Sequence, residues 1–217
     1  MTNTLANIDR MDYSPAMKYF EAVIFDLGRV LVGIDIDRYM RIFGNGDTAA
    51  DTAALKSIMS DELVVNFDTG RITPNQFYDA IREKTGINIP YDEFVAGYCD
   101  IFTPMPGIER LFGEIKAKLP VGLLSDTDPL HFASICERFK YVAEIENPSL
   151  SFNIGAMKPD PVMYQTAAKN VNIDIDKCLF IDDLQRNVDG AIRAGMQAIL
   201  FEGVENLRQQ LVYRGLL

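Results

Sequence analysis

The chain has little of what a thiolate-metal or disulfide protein needs. Its 217 residues hold three cysteines, Cys99, Cys136 and Cys178, widely spaced and odd in number. No C-x-x-C pair is available for zinc, and no even framework for a small secreted fold. The three read as small core residues in a reducing compartment. Positive charge is also scarce: 21 Lys and Arg against 31 Asp and Glu give a formal net charge of −10. A field of that sign repels nucleic-acid phosphates and anionic lipid, so neither is an expected partner. It would repel an anionic substrate as well, unless a cation is held locally. Long apolar runs are missing too, which argues against a membrane span. The first twenty residues, MTNTLANIDRMDYSPAMKYF, have neither the basic nor the apolar stretch of a signal peptide. These absences predict a cytoplasmic protein with residues 1–18 as a polar extension.

What is present is an ordinary globular composition, 48% hydrophobic and 24% charged, in a chain long enough for a sizeable core and a small insert. Four short apolar runs stand out: AVIF (22–25), VGLLS (121–125), CLFID (178–182) and AILF (198–201). Such runs suit strands covered on both faces, as in a parallel sheet. Helix-start chemistry follows two of them. Asp128-Pro129 is an N-cap and N1 pair, and LQRNVDGAIRAG is a helical pattern stopped by Gly195. Strand, loop, helix, strand predicts an open α/β, Rossmann-like sheet, whose ligands bind outside the carboxyl ends of the strands. Asp26, Ser125, Asp126, Asp182 and Asp183 all fall there.

Between residues 36 and 104 the texture becomes helical. TPNQFYDAIREKTG has Thr73 as N-cap, Pro74 at N1, Gln76 completing a capping box and Gly86 as the stop. So long a stretch exceeds one crossover. It predicts a helical cap over 36–104, inserted into a catalytic core made of residues 1–35 and 105–217. Tyr39, Phe43, Phe67, Phe77 and Tyr98 are candidates for the cap's core or its substrate-facing wall.

The strand ends supply a set of groups with one chemistry in common. Asp26 is the candidate nucleophile and Asp182-Asp183 a paired carboxylate. Ser125 and the amides after it, Asp126 first, are donors; Lys158 in GAMKPDP is a cation beside a helix start. An aspartate attacking phosphorus needs its repulsion from the anion neutralised. Mg²⁺ held by carboxylates and a backbone carbonyl does that, while a lysine and a hydroxyl bind the other phosphoryl oxygens. The product is an aspartyl-phosphate.

VIFDLGRVL, VGLLSDT, GAMKPDPVMY and LFIDDLQRNVDGAIRAGM resemble the four successive motifs of the haloacid dehalogenase-like superfamily. The resemblance runs from residue 21 to about 202, and the helical insert sits where that family places its small cap. Within the family, FDLG and KPDP resemble the subgroup of bacterial α-glucose-1-phosphatase-type sugar phosphatases. The resemblance implies Asp26 as nucleophile and metal ligand, with the Gly28 carbonyl as a second ligand. It further implies Ser125 and Lys158 on the phosphoryl group, Asp183 on Mg²⁺ with Asp182 beside it, and Asn187 near Lys158. The implied substrate is a small phosphorylated metabolite, a sugar phosphate among the candidates, and the implied assembly a monomer or homodimer.

One departure stands out. The family's phosphatases carry a second Asp two residues after the nucleophile, and here that residue is Gly28. Either another group supplies the proton, such as Asp35, Asp37 or a cap residue, or the leaving group needs less help. Three other functions compete: a 2-haloacid dehalogenase, against which FIDD argues; a phosphotransferase; and a catalytically feeble binding or regulatory protein. Blander readings also stand beside each residue. Asp182-Asp183 would stabilise a helix N-terminus in any case, Asp160 is an N-cap before Pro161, and His131 reads as a packing residue. Arg29 is as compatible with solvent as with substrate, Arg71 reads as exposed in a turn, and FGNGD reads as a turn without a preceding strand.

Overall fold

In a computed structural model of the chain, residues 20–38, 62–86 and 88–217 are described. The core is a five-stranded sheet of β1 (Ala22–Phe25), β4 (Val121–Ser125), β5 (Ser149–Leu150), β6 (Cys178–Asp182) and β7 (Gln197–Leu200). The order is β5-β4-β1-β6-β7, and every pairing is parallel. Side chains alternate along β1. Val23 and Phe25 join one buried cluster, while Ala22 and Ile24 join another on the opposite face. Both faces are covered, so these strands read as continuous apolar runs with no polar alternation. The last strand begins one residue earlier than AILF indicates, and the two-residue β5 is too short to leave a periodic signal.

The helices are α1 (Glu62–Asp68), α2 (Pro74–Thr85), α3 (Tyr91–Tyr98), α4 (Ile108–Lys116), α5 (Pro129–Arg138), α6 (Lys140–Ala143), α7 (Ser151–Ile154), α8 (Pro161–Asn170), α9 (Gln185–Arg193) and α10 (Val204–Tyr213). Their ends follow the expected chemistry. Thr73 and Gln76 form the reciprocal capping box of α2, and Gly86 closes it in the left-handed conformation. Asp128 and Asp160 cap α5 and α8, each with Pro next. None of these helices is long and apolar enough to cross a membrane.

A helical insertion follows β1. Two short strands, β2 (Val32–Ile34) and β3 (Phe102–Pro104), pair antiparallel as its stem. β3 lies in the stretch that reads as helical throughout; three residues paired across such a span carry no local pattern. The insertion's aromatics pack on one another within the buried cluster that also holds Phe25 and Leu123 of the sheet. Phe67 stacks on Phe77 at 4.2 Å, and Phe94 stacks on Tyr98 at 5.5 Å. Phe67, Phe77 and Phe94 are fully buried, each stabilising by roughly 1.5–3 kcal/mol. Tyr39 and Phe43 lie outside the described residues.

Gly70, just after α1, has φ +69°, and a Cβ there would run into the backbone carbonyl of Phe152 in α7. The turn of the insertion thus meets the core backbone to backbone. Gly70→Ala is expected to destabilise the protein by more than about 1 kcal/mol, measured by urea unfolding; an unchanged midpoint would mean that this close approach does not exist in solution.

Candidate active site

The carboxyl ends of β1, β4 and β6 lie side by side because the three strands are adjacent and parallel. Asp26 leaves β1 with its N–H donating to the Ile181 carbonyl at 2.8 Å, which holds it beside the end of β6. The following loop turns back at once. Val32 N–H donates to Leu27 O and Arg29 N–H to Val32 O, with Arg29 held at φ +61°. A left-handed non-glycine residue costs energy, here offset by that hydrogen-bonded turn. The Gly28 carbonyl accepts none of these bonds.

Lys158 enters from the loop before α8, 132 positions from Asp26. Its ammonium donates to Asp26 Oδ1 at 2.5 Å, Asp182 Oδ2 at 2.8 Å and the Leu124 carbonyl at 3.3 Å. Its own N–H donates to Asp126 Oδ1 at 2.9 Å, which ties the lysine loop to the end of β4. Burial favours the neutral amine, but the carboxylates of Asp26, Asp182 and Asp126 overcome this and hold Lys158 protonated. Asp26 is 7% exposed. Burial pushes its pKa up to about 7, with Lys158 opposing and Asp182 adding to the rise.

The paired acids have separate surroundings. Asp182 is fully buried. Asn187 Nδ2 donates to both its oxygens at 3.0 Å, the Leu184 N–H to Oδ1 at 2.8 Å, and Lys158 to Oδ2. Asn187 therefore reaches Lys158 through Asp182. Asp183 faces the rim, with Arg29 at 3.8 Å, and its carboxyl is raised by burial and by Asp182. Oxygens of Asp26, Asp182 and Asp183 lie within 4.8 Å of one another. Three acids around one buried ammonium leave an excess of negative charge, and the donor set is all oxygen. That combination fits a hard divalent cation such as Mg²⁺.

Beside these groups is a cavity of about 240 Å³. Leu27, Gly28 and Arg29 line it from the nucleophile loop, Ser125 to Asp128 from the end of β4, and Asp68 and Tyr98 from the insertion. Ile34, Val64, Ile101, Phe102 and Ile135 give it apolar walls. Ser125 is buried at its mouth, with only a long 3.4 Å contact to the Asp126 carbonyl.

His131 lines the cavity as well. Its Nδ1 lies 2.7 Å from Asp128 Oδ2 and its Nε2 3.0 Å from the Tyr98 carbonyl. Both nitrogens meet acceptors, an arrangement that favours the doubly protonated imidazolium. Burial alone would lower its pKa, but Asp128 raises it above the ordinary value. Burial would raise Asp128, yet His131 and the hydrogen bonds around it hold that carboxyl below its usual range. Tyr98 donates to Asp128 at 3.0 Å and stacks on the imidazole at 4.1 Å.

A lowered acid contributes stability above its unfolded pKa of 3.8, and a raised histidine contributes below its unfolded 6.5. The pair is therefore at full strength between those values. It fades as pH falls through the depressed Asp128 pKa or rises through the elevated His131 pKa. Asp128→Asn is expected to cost about 3–5 kcal/mol near pH 5.5 and less once pH passes the elevated His131 pKa; urea unfolding over an alkaline pH series tests this, and a pH-independent cost would remove the ion pair.

Other positions fall elsewhere. Asp35 is paired with Arg38 at 3.1 Å, and Asp37 is exposed; neither lines the cavity. Arg71 is exposed against Asn66. Cys99, Cys136 and Cys178 are free thiols. Sequence reasoning did not single out Asp68 or the Asp128–His131 pair as cavity groups. Acids spaced as in SDTD, with a histidine three residues on, are the only local trace of the pair.

The chain is 32% identical over 127 residues to a phosphatase of Mycobacterium tuberculosis, a match covering 58% of this chain and 56% of that one. It is 22% identical over 197 residues to the D-ribitol-5-phosphate phosphatase of Bacteroides thetaiotaomicron, covering 87% and 95%. A haloacid dehalogenase-family enzyme from B. thetaiotaomicron superposes with a TM-score of 0.74 at 25% identity, over 89% of this chain and 99% of that one. A second crystal structure of that enzyme, in complex with magnesium and inorganic phosphate, superposes with a TM-score of 0.75 at 24% identity, over 85% and 95%. The family model of haloacid dehalogenase-like hydrolases matches residues 1–195. A parallel sheet whose strand ends gather Asp26, Lys158 and the paired acids, with a helical insertion after the first strand, agrees with that match: the chain belongs to the haloacid dehalogenase-like hydrolases.

Proposed function

We propose that the protein is a Mg²⁺-dependent phosphatase that hydrolyses a small phosphorylated metabolite through an aspartyl-phosphate on Asp26. The observation that carries the reading is Lys158, buried and shared between Asp26 and Asp182, beside a rim where a third acid faces outward. Such a cluster is poised for an anion that arrives with a cation. The magnesium and phosphate in the B. thetaiotaomicron crystal and the activities of the curated relatives support it.

Asp26, Asp183 and the Gly28 carbonyl would hold Mg²⁺. Asp182 belongs to the same metal-holding cluster and at the same time anchors Lys158. When bound, the ion supplies positive charge to the phosphoryl oxygens and to Asp26. Lys158 and Ser125, with the Asp126 amide, take the remaining oxygens and hold phosphorus in line with Asp26. The carboxylate attacks phosphorus and the ester oxygen leaves; water then attacks the same phosphorus and frees Asp26 as inorganic phosphate departs. Residues 36–104 act as a cap over residues 1–35 and 105–217, and close the leaving group into the cavity. Its size and mostly apolar walls favour a small uncharged leaving group. A sugar phosphate of the kind taken by the α-glucose-1-phosphatase subgroup meets that description.

The test is hydrolysis of a phosphate-ester panel, including sugar 1- and 6-phosphates, with Mg²⁺ and with EDTA. Metal-dependent phosphate release that disappears in Asp26→Asn is the expected result. A second reading, a binding protein that has lost turnover, draws on Gly28; Mg²⁺ binding without phosphate release from any ester would favour it.

A further inference from the structure

The arrangement above lacks a donor for the leaving oxygen. Position 28 cannot supply one: glycine has no side chain, and the Ile34 tip stands 2.9 Å from where its Cβ would be. The other acids at the site are engaged. Asp26 and Asp182 hold Lys158, and Asp126 accepts the Lys158 N–H. Asp128 accepts the amides of Leu130 and His131, the Tyr98 hydroxyl and the imidazolium. His131 has both ring protons directed at protein acceptors. Asp68, the last residue of α1, is different. It lines the same cavity as Gly28, Arg29 and Ser125, and no ion pair or hydrogen bond fixes its carboxyl among the described residues.

We propose that Asp68 protonates the leaving oxygen and then takes a proton from the attacking water, in place of the acid absent at position 28. This rests on the phosphatase reading and adds the source of the proton. In the first step Asp26 bonds to phosphorus, the ester P–O bond breaks, and the Asp68 carboxyl gives its proton to the departing alkoxide. In the second, water bonds to phosphorus and its proton returns to the Asp68 carboxylate as Asp26 departs. The charged groups around Asp68 suit the task. Burial raises its pKa to about 7, Asp128 and Asp126 add to the rise, and the His131 imidazolium opposes it; Arg29 lines the same cavity. A carboxyl balanced near neutrality both gives and takes a proton effectively. Because the insertion carries this acid, proton transfer also requires the insertion to be seated on the core.

The test compares kcat/KM for p-nitrophenyl, phenyl and benzyl phosphates in the wild type, Asp68→Asn, Asp68→Glu and an Asp35→Asn control. p-Nitrophenolate leaves without a proton, whereas a benzyl alkoxide needs one. Asp68→Asn is expected to lose roughly 10²–10⁴-fold on benzyl phosphate and less than about tenfold on p-nitrophenyl phosphate. The descending, alkaline limb of the benzyl phosphate pH profile, where Asp68 loses the proton it donates, should vanish with it. Asp68→Glu should recover part of the difference, and Asp35→Asn should match the wild type. An equal loss on all three esters, or none, overturns the assignment of Asp68 alone. Absence of Mg²⁺-dependent turnover by the wild type on p-nitrophenyl phosphate overturns the phosphatase reading, and this inference with it.

Discussion

Asp26→Asn is expected to lower phosphatase turnover by about 10⁴–10⁶-fold, the scale on which removal of a covalent nucleophile acts, while the melting temperature of the metal-free protein holds or rises. The two halves have one cause. Asp26 is a buried carboxylate next to another, and burial raises its pKa to about 7 despite Lys158. A native-state pKa above the unfolded value means that the folded protein binds more protons, so the ionised group detracts from stability above pH 4. An amide of the same shape keeps the packing and removes the charge. Lys158 retains Asp182 at 2.8 Å and the Leu124 carbonyl, so it is not left unpaired. Phosphate release and thermal unfolding, each measured with EDTA and with Mg²⁺, separate the possibilities. Activity lost together with a large fall in melting temperature would mean that the variant misfolds. Activity retained within tenfold would rule out Asp26 as nucleophile.

Lys158→Met is expected to damage both stability and turnover. Its side chain is 2% exposed and its ammonium is bonded to two buried carboxylates. Methionine fills the space and leaves Asp26 and Asp182 facing each other with no cation between them. Removing one partner of a buried ion pair typically costs about 3–5 kcal/mol. With Lys158 gone, the influence that lowers the Asp26 pKa is lost, so Asp26 takes up a proton and its nucleophilicity falls with it. Loss of the contact to a phosphoryl oxygen adds roughly 10²–10³ in rate. Mg²⁺ should recover part of the lost stability, because it replaces the missing charge. Urea unfolding at pH 8 with and without Mg²⁺, beside the ester assay, reads both effects. A variant as stable as the wild type in EDTA would show that the three-way contact is not populated in solution.

Much of this was legible along the chain, and for identifiable reasons. Strands covered on both faces are apolar along their length up to the carboxyl end, so AVIF, VGLLS and CLFID announce themselves. Helix ends need particular side chains, so Thr73-Pro74, Asp128-Pro129, Asp160-Pro161 and Gly195 mark their own positions. β3 and β5 were not legible. Two or three residues cannot display a period, and their pairing is settled by the chain segments that bring them back. The cavity was legible mainly on the core side, where its residues follow predicted strands; on the insertion's side Tyr98 was the one candidate among the described residues that lines it. Asp68 ends a helix with no motif around it, and only the seating of the insertion brings it to the cavity that Gly28 lines.

The division between the two levels follows from that. By itself the sequence determined the parallel sheet, the position of the helical insertion and the rim of acids, because each depends on local pattern and on the rule that parallel strands end in one row. The tertiary structure decided the pairings within the rim. Asp182 turns inward onto Lys158, 24 positions away, while Asp183 turns outward. Asp128 binds the imidazolium of His131 under the ring of Tyr98, and the Ile34 tip takes the space at Gly28. Contacts between residues far apart in the chain leave no periodic trace, since what selects them is burial and charge in the assembled fold.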